Sequence, residues 1–202
     1  MSRCLVVGLG NPGPEYADNR HNVGFRCVDR LASAHNLTFD RSRKRSHLAL
    51  GMLLGRPVIV AKPRTFMNRS GYAVAALVRF YRFQLDRVLV VYDDLDLPLG
   101  ALRVRPSGGS GGHRGMASII EQLGSRDFAR LRIGIGRPPG RMDPADYVLQ
   151  DFSRAEEPLV EKVLDMAVAT IETWLTQGID MAMRLHNRSG GSTTGVEAPQ
   201  PA

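Results

Sequence analysis

The chain has 202 residues, 43% of them apolar and 23% charged, with a net charge of +7 and a pI near 10.0. That length supports one sizeable core, that composition excludes a disordered chain, and no apolar run approaches the ~20 residues that span a bilayer. Two cysteines, Cys4 and Cys27, are too few for a disulfide framework and read as buried small hydrophobes.

The first apolar segment ends at Gly8, too short for the core of a signal peptide, so the expected location is the cytoplasm. Leu5 to Leu9 reads as a buried strand bounded by Asn11-Pro12-Gly13. Val23, Cys27, Val28, Leu31 and Ala32 recur at helical spacing and predict a helix over 22–35. Two short strands follow near 47–54 and 57–62, around the turn Gly55-Arg56-Pro57. Val74, Leu77, Val78 and Tyr81 predict a helix over 73–83, and Val88 to Tyr92 is a continuous apolar strand. Leu102 to Arg105 alternates apolar and basic residues, as a half-buried strand does. A glycine-rich loop, Ser107 to Gly112, leads into a helix near 114–123, and Leu131 to Ile135 is the last strand. A long apolar stripe from Leu159 to Leu175 predicts a helix over 156–176. The expected fold class is α/β, a single domain over 1–188 with a twisted mixed sheet flanked by helices. The Gly-, Ser-, Thr- and Pro-rich residues 189–202 read as a disordered tail.

Three polar clusters lie directly after apolar strands: Asn11-Pro12-Gly13, Lys62 to Asn68, and Asp93-Asp94-Leu95-Asp96. If those strands are parallel, Asn11, Asn68 and Asp93 converge on the rim where α/β sheets bind ligands, and His21 is close enough in sequence to join them. A neutral imidazole can take a proton from water, and a carboxylate can hold the ring in the required tautomer. Asparagine amides supply neutral donors to a developing oxyanion or a substrate carbonyl. No Gly-x-Ser-x-Gly elbow and no cysteine beside a histidine signals a covalent nucleophile, which leaves water. Taken singly, each residue has a plainer reading: Asn11 as a turn residue, Asp93 as a cap, His21 as a helix-start residue. His35, His47 and His186 are left to that plainer reading.

Two patterns compete. Gly8 to Gly13 matches the Gly-x-Gly-x-x-Gly dinucleotide fingerprint, the signature of a nucleotide-dependent oxidoreductase. Pro12 and Pro14, however, remove amide donors, and the polar stretch to Arg20 delays the helix whose N-terminus would face the pyrophosphate. The glycine-rich loop ending in His113 lacks the Lys-Ser/Thr of a P-loop, although its backbone can approach a ligand closely. A zinc hydrolase built on His21, Asp93 and His113 has no close-spaced ligand pair behind it.

At these same residues the chain resembles the bacterial peptidyl-tRNA hydrolase family. The matching segments are Val7 to Tyr16, Arg20 to Phe25, Thr65 to Gly71, Tyr92 to Gly100, Gly111 to Gly115 and Arg132 to Gly136, in the family's order. The resemblance implies a monomer that needs no metal or cofactor and cuts the ester between a peptide's C-terminus and the terminal ribose of tRNA. By position it makes His21 the base that activates water, Asp93 the group that stabilises its protonated form, and Asn11 a contact to the peptide beside the ester. It assigns Tyr16, Phe66 and Asn68 to tRNA and substrate contacts, and places Met67 and His113 in the same cleft. Arg103, Arg105 and Arg132 match basic positions offered to the acceptor-stem backbone; apart from the resemblance, Arg41, Arg43, Lys44 and Arg45 form a further basic run that reads equally well as a solvated loop. The chain departs from the family at Arg114, where asparagine is usual; arginine is longer, charged and donor-only, and is expected to serve tRNA binding. Plant organelles carry relatives of this fold that act in RNA splicing, so a binding module without hydrolase chemistry is the alternative from another class.

Overall fold

A computed structural model describes residues 3–187. Its elements, in chain order, are β1 (Cys4–Gly8), α1 (Val23–Ala34), β2 (Arg41–Arg43), β3 (Ser46–Leu53), β4 (Arg56–Pro63), α2 (Ser70–Tyr81), β5 (Val88–Asp94), β6 (Leu102–Arg105), α3 (Arg114–Leu123), β7 (Ala129–Gly134), α4 (Pro144–Tyr147), α5 (Glu157–Gln177) and α6 (Ile179–His186). The expected tail over 189–202, and the domain boundary at 188, lie outside the described residues.

The strands form one seven-stranded sheet in the order β2-β3-β4-β1-β5-β7-β6. β4, β1, β5 and β7 are mutually parallel, and β2, β3 and β6 run against their neighbours. The sheet is therefore mixed, as expected. β1 is buried at all five positions because helices cover both faces, which is why it reads as a continuous apolar run rather than an alternation. Its side chains still divide with period two. Cys4 and Val6 join the core under α1 and α5, while Leu5 and Val7 join the core under α2 and α3.

The glycines of the supposed dinucleotide fingerprint have a packing role. A Cβ on Gly8 would stand 2.3 Å from the carbonyl oxygen of Gly24, and one on Gly24 would stand 2.5 Å from that of Val91. α1 can therefore settle directly onto the ends of β1 and β5. His21, three residues before Gly24, is carried to the carboxyl end of the sheet by that close approach. Between β1 and α1 the chain makes two 3-10 turns, Pro14–Tyr16 and Arg20–Asn22, instead of opening a helix inside the glycine turn. This geometry removes the phosphate cradle that the oxidoreductase reading requires.

Three elements escape the sequence pattern. β2 is a short exposed edge strand inside the basic run. α4 is a single turn started by Pro144 and capped by the Asp143 side chain, which accepts from the Ala145 amide. α6 follows α5 after Gly178, whose φ of 88° breaks the helix. Beyond α6, Asn187 accepts from the Val104 amide and donates to the Val104 carbonyl, so a side chain occupies the free edge of β6.

Candidate active site

The carboxyl ends of β1, β4 and β5 open into a cleft of about 1210 Å³. Asn11, His21, Phe66, Met67, Asn68, Asp93, His113 and Arg114 all line it. The parallel strands thus gather the three polar clusters on one rim, as Asn11, Asn68 and Asp93 required. The remaining wall comes from the Gly111-Gly112 loop and from residues 137–149 around α4. Tyr16 stands behind Phe66, its ring edge-on with centroids 6.4 Å apart, and is not a lining residue. Arg103, Arg105 and Arg132 lie on the β6–β7 edge outside the cleft. Arg132 is tied to the Asp94 carboxylate through its Nε, while Arg103 and Arg105 form no ion pair among the described residues.

Asp93, the penultimate residue of β5, has only 2% of its side chain exposed, and one oxygen, Oδ1, serves two imidazoles. His21 Nδ1 lies 2.8 Å from it and His113 Nε2 lies 3.0 Å from it. Burial opposes ionisation of Asp93, but the two histidines outweigh it and hold the carboxyl well below the usual range. Asp93 is therefore an anion that can only accept.

The tautomers follow from the hydrogen-bond network. His113 is the N-cap of α3, and its Nδ1 accepts from the Met116 amide at 3.2 Å. An amide N–H can only donate, so the proton of neutral His113 sits on Nε2 and is given to Asp93. His21 gives Asp93 its Nδ1 proton, which leaves the Nε2 lone pair as the basic atom of the pair. Only 12% of the His21 side chain is exposed, on the cleft side.

The same network bears on metal binding. His21, Asp93 and His113 each bring a ligating atom within 4.8 Å of the others, so the cluster imagined from sequence does assemble. A metal on Nε2 of His113 would need that nitrogen's lone pair, and the Met116 amide has already forced a proton onto it. The donor set fits a hydrogen-bonded triad and does not fit a zinc site.

Asn11 is held by Asn22, which the sequence marks only as a member of the Arg20 to Phe25 motif. The Asn11 amide donates to Asn22 Oδ1 at 2.8 Å, and Asn22 Nδ2 donates to the Asn11 carbonyl at 2.9 Å. Asn11 Oδ1 in turn accepts from the Met67 amide at 2.8 Å. With its oxygen committed, Asn11 has only its NH₂ left to offer to a ligand. By pattern alone Asn22 is an ordinary helix-start residue; its function depends on the return of the chain at residue 11.

His21 is also fixed from behind. Its amide donates to the Val148 carbonyl at 2.8 Å, and the neighbouring Arg20 amide to the Gln150 carbonyl at 2.9 Å. The buried Arg20 guanidinium lies over the Tyr147 and Phe152 rings and donates to both oxygens of Glu156, at 3.0 and 2.7 Å. Hydrogen bonding from Arg20, opposed by partial burial, pulls the Glu156 carboxyl down to about 2. Because this folded value lies below the ordinary 4.5, the pair stabilises the protein above pH 4.5 and that contribution is lost as pH falls toward 2. Glu156→Gln is accordingly expected to melt below the native chain at neutral pH, with the gap closing toward pH 2. Thermal melts across that window check it.

The profile of the family described as Peptidyl-tRNA hydrolase matches residues 5–194. The chain belongs to the peptidyl-tRNA hydrolase family. It is 50% identical over 184 residues to a peptidyl-tRNA hydrolase of Chloroflexus aggregans, covering 91% of this chain and 98% of that one. It is 49% identical over 184 residues to a chloroplastic peptidyl-tRNA hydrolase of Arabidopsis thaliana, covering 91% of this chain and 64% of that one. Among solved structures, the peptidyl-tRNA hydrolase of Acinetobacter baumannii superposes with a TM-score of 0.86 at 36% identity, over 92% of this chain and 94% of that one. For a peptidyl-tRNA hydrolase, the cleft presents the appropriate mixture: amide and imidazole groups at its floor, an exposed Phe66 and Asn68 on one lip, and Arg114 on the other.

Proposed function

We propose that this chain hydrolyses the ester joining a peptide to the 3′-terminal ribose of tRNA, with His21 as general base and water as nucleophile. The observation that carries the reading is the Asp93-centred triad, which leaves a single basic nitrogen, His21 Nε2, at the floor of an open cleft. Water gives a proton to Nε2 as its oxygen bonds to the ester carbonyl carbon. The C–O bond to ribose then breaks, and the proton passes from Nε2 to the departing ribose oxygen. Asp93 stabilises the imidazolium between those events, and His113 holds the Asp93 oxygen in place. The Asn11 NH₂, oriented by Met67 and Asn22, donates to the peptide carbonyl next to the ester. Phe66 and Asn68 contact the substrate beside it, with Tyr16 buttressing Phe66. Arg103, Arg105 and the free end of Arg132 meet acceptor-stem phosphates.

Arg114 is assigned to tRNA. It is the first residue of α3, exposed, on the cleft lip, and without a hydrogen bond or ion pair among the described residues. A cation there opposes the helix dipole, a cost of about 0.3–1 kcal/mol that an approaching phosphate relieves. Arg114→Asn is expected to raise KM and reduce the slope of log KM against log salt by about 1, the share of one phosphate contact, with kcat unchanged. A lower KM with an unchanged salt slope would refute the assignment.

The chain is further proposed to act as a monomer in the cytoplasm. No helix among the described residues is long and apolar enough to cross a membrane, and Cys4 and Cys27 are free and buried, as a reducing compartment allows. The deciding assay is release of an N-blocked aminoacyl group from tRNA, with His21→Ala and added chelator as controls. Release by the native chain that resists chelator and is lost with His21 supports the reading. No release would favour an RNA-binding module, and release abolished by chelator would restore the zinc reading.

A further inference from the structure

The 45 residues from Arg41 to Leu85 contain ten Lys and Arg and not one Asp or Glu, although the whole chain is only +7. The remainder of the chain is thus acidic overall, and the basic excess is concentrated in β2, β4, α2 and the turns that join β2 to β3 and β4 to α2. These elements adjoin one another at the β2 edge of the sheet, the opposite edge from Arg103 and Arg105 on β6.

Most of the cations there have no carboxylate partner among the described residues, a state they share with Arg103 and Arg105. Arg20, Arg26, Arg30, Arg132 and Arg137 are each neutralised by a carboxylate of the chain. Within the acid-free segment only Arg41 and Lys62 have such a partner, Asp40 and Asp29, among the described residues. Arg43 and Lys44 instead stand over the Phe80 ring, at 5.1 and 4.6 Å from its centroid. That stacking holds two unneutralised charges upright beside the outer face of α2, where Tyr72 is also exposed. The patch is continuous with the cleft: the Arg64 amide donates to the Arg45 carbonyl at 2.7 Å, and Arg69, at the foot of α2, lines the cleft itself. From Arg69 to Phe80 the helix runs about 16 Å.

The turn that presents Lys44 and Arg45 is built at a cost. Arg43 pairs with Ser46, so the hairpin loop is the two residues Lys44-Arg45, with φ of 51° and 58°. Such a turn favours Asn-Gly, and long cationic side chains in the left-handed region cost on the order of 1 kcal/mol each. Two cations occupy a position where local stability calls for neither.

We propose that this face, from Arg69 along α2 to the Arg43-Lys44-Arg45 hairpin, is a second phosphate-binding surface that carries the double-helical body of the tRNA substrate. The proposal rests on the tRNA substrate assigned above. Chemistry at the cleft floor engages the single-stranded 3′ end. A positive surface that begins at Arg69 on the cleft wall and runs about 16 Å along α2 meets duplex phosphates other than those assigned to Arg103, Arg105 and Arg132, and binds them without regard to sequence.

The Lys44→Asn/Arg45→Gly double variant tests this, because it removes two charges while relaxing the turn. Deacylated tRNA binding, followed by fluorescence anisotropy over salt, should show the slope of log Kd against log salt reduced by about 2. KM for N-blocked aminoacyl-tRNA should rise about tenfold at physiological salt with kcat unchanged, and cleavage of the same ester on a CCA trinucleotide should not change. The melting temperature should be equal or higher, which separates the effect from misfolding. An unchanged salt slope overturns the proposal, as does an equal loss on the trinucleotide ester. Retained tRNA affinity with lost binding to anionic lipid vesicles would overturn it in favour of a membrane surface. Failure of the native chain to hydrolyse either ester is a separate result that tells against the proposed function itself.

Discussion

Replacing His21 with alanine is expected to lower kcat about 10²- to 10⁴-fold, the range set by loss of a general base, with little change in KM. The asymmetry follows from the site's layout. His21 Nε2 is the one basic lone pair of the triad, because His113 must carry its proton on the nitrogen facing Asp93 and Asp93 is committed to two donors. His113 cannot substitute for it without breaking the cap on the Met116 amide. Substrate affinity, in the proposed mode of binding, comes from the lips of the cleft and the basic surfaces, which the substitution leaves alone. Single-turnover kinetics with N-blocked aminoacyl-tRNA separate the two quantities. Hydrolysis at an undiminished rate would remove His21 from the chemistry altogether.

Asp93→Asn is expected to cost about 10⁴-fold in kcat with the fold intact, comparable to the mis-set tautomer of a catalytic triad. An asparagine oxygen still accepts from both rings, but it is neutral and cannot stabilise the imidazolium that forms when water is deprotonated. Its NH₂ can also turn toward the rings and impose the wrong tautomer on His21. The stability effect has a defined sign. The folded-state carboxyl titrates below its ordinary 3.8, so ionised Asp93 stabilises the fold above that pH and the contribution fades as pH falls below it. Asp93→Asn should therefore melt below the native chain at neutral pH, with the gap narrowing in acid. An unchanged kcat would show that the carboxylate is structural.

Much of the architecture was legible because apolar periodicity reports burial. β1 and β5, sandwiched between helix layers, appear as unbroken apolar runs, and the stripe from Leu159 to Leu175 marks α5 to within one residue at either end of the predicted span. Elements without that signal were missed. β2 owes its strand to pairing with β3 rather than to its own Arg-Ser-Arg, and α6 is a short amphipathic helix hidden behind the break at Gly178. The glycine pattern after β1 was ambiguous for a physical reason: a glycine that admits a phosphate and one that admits a helix backbone look the same in sequence. Only the packing of α1 on β1 distinguishes them: a Cβ added at Gly8 would stand 2.3 Å from the Gly24 carbonyl oxygen.

The site divides along the same line. The sequence by itself determined the residue types after each strand, the family they resemble, and the acid-free basic stretch from Arg41 to Leu85, because these are properties of composition and order. Tertiary structure alone decided which atoms face which. Asp93 shares one oxygen between His21 and His113, and Asn22 orients Asn11. Arg132 is drawn to Asp94, while Lys44 stands over Phe80 with no carboxylate partner among the described residues. Hydrogen-bond direction and charge pairing depend on donors brought together from distant parts of the chain, and proton placement in the triad is set by an amide at Met116 that no local pattern connects to His21.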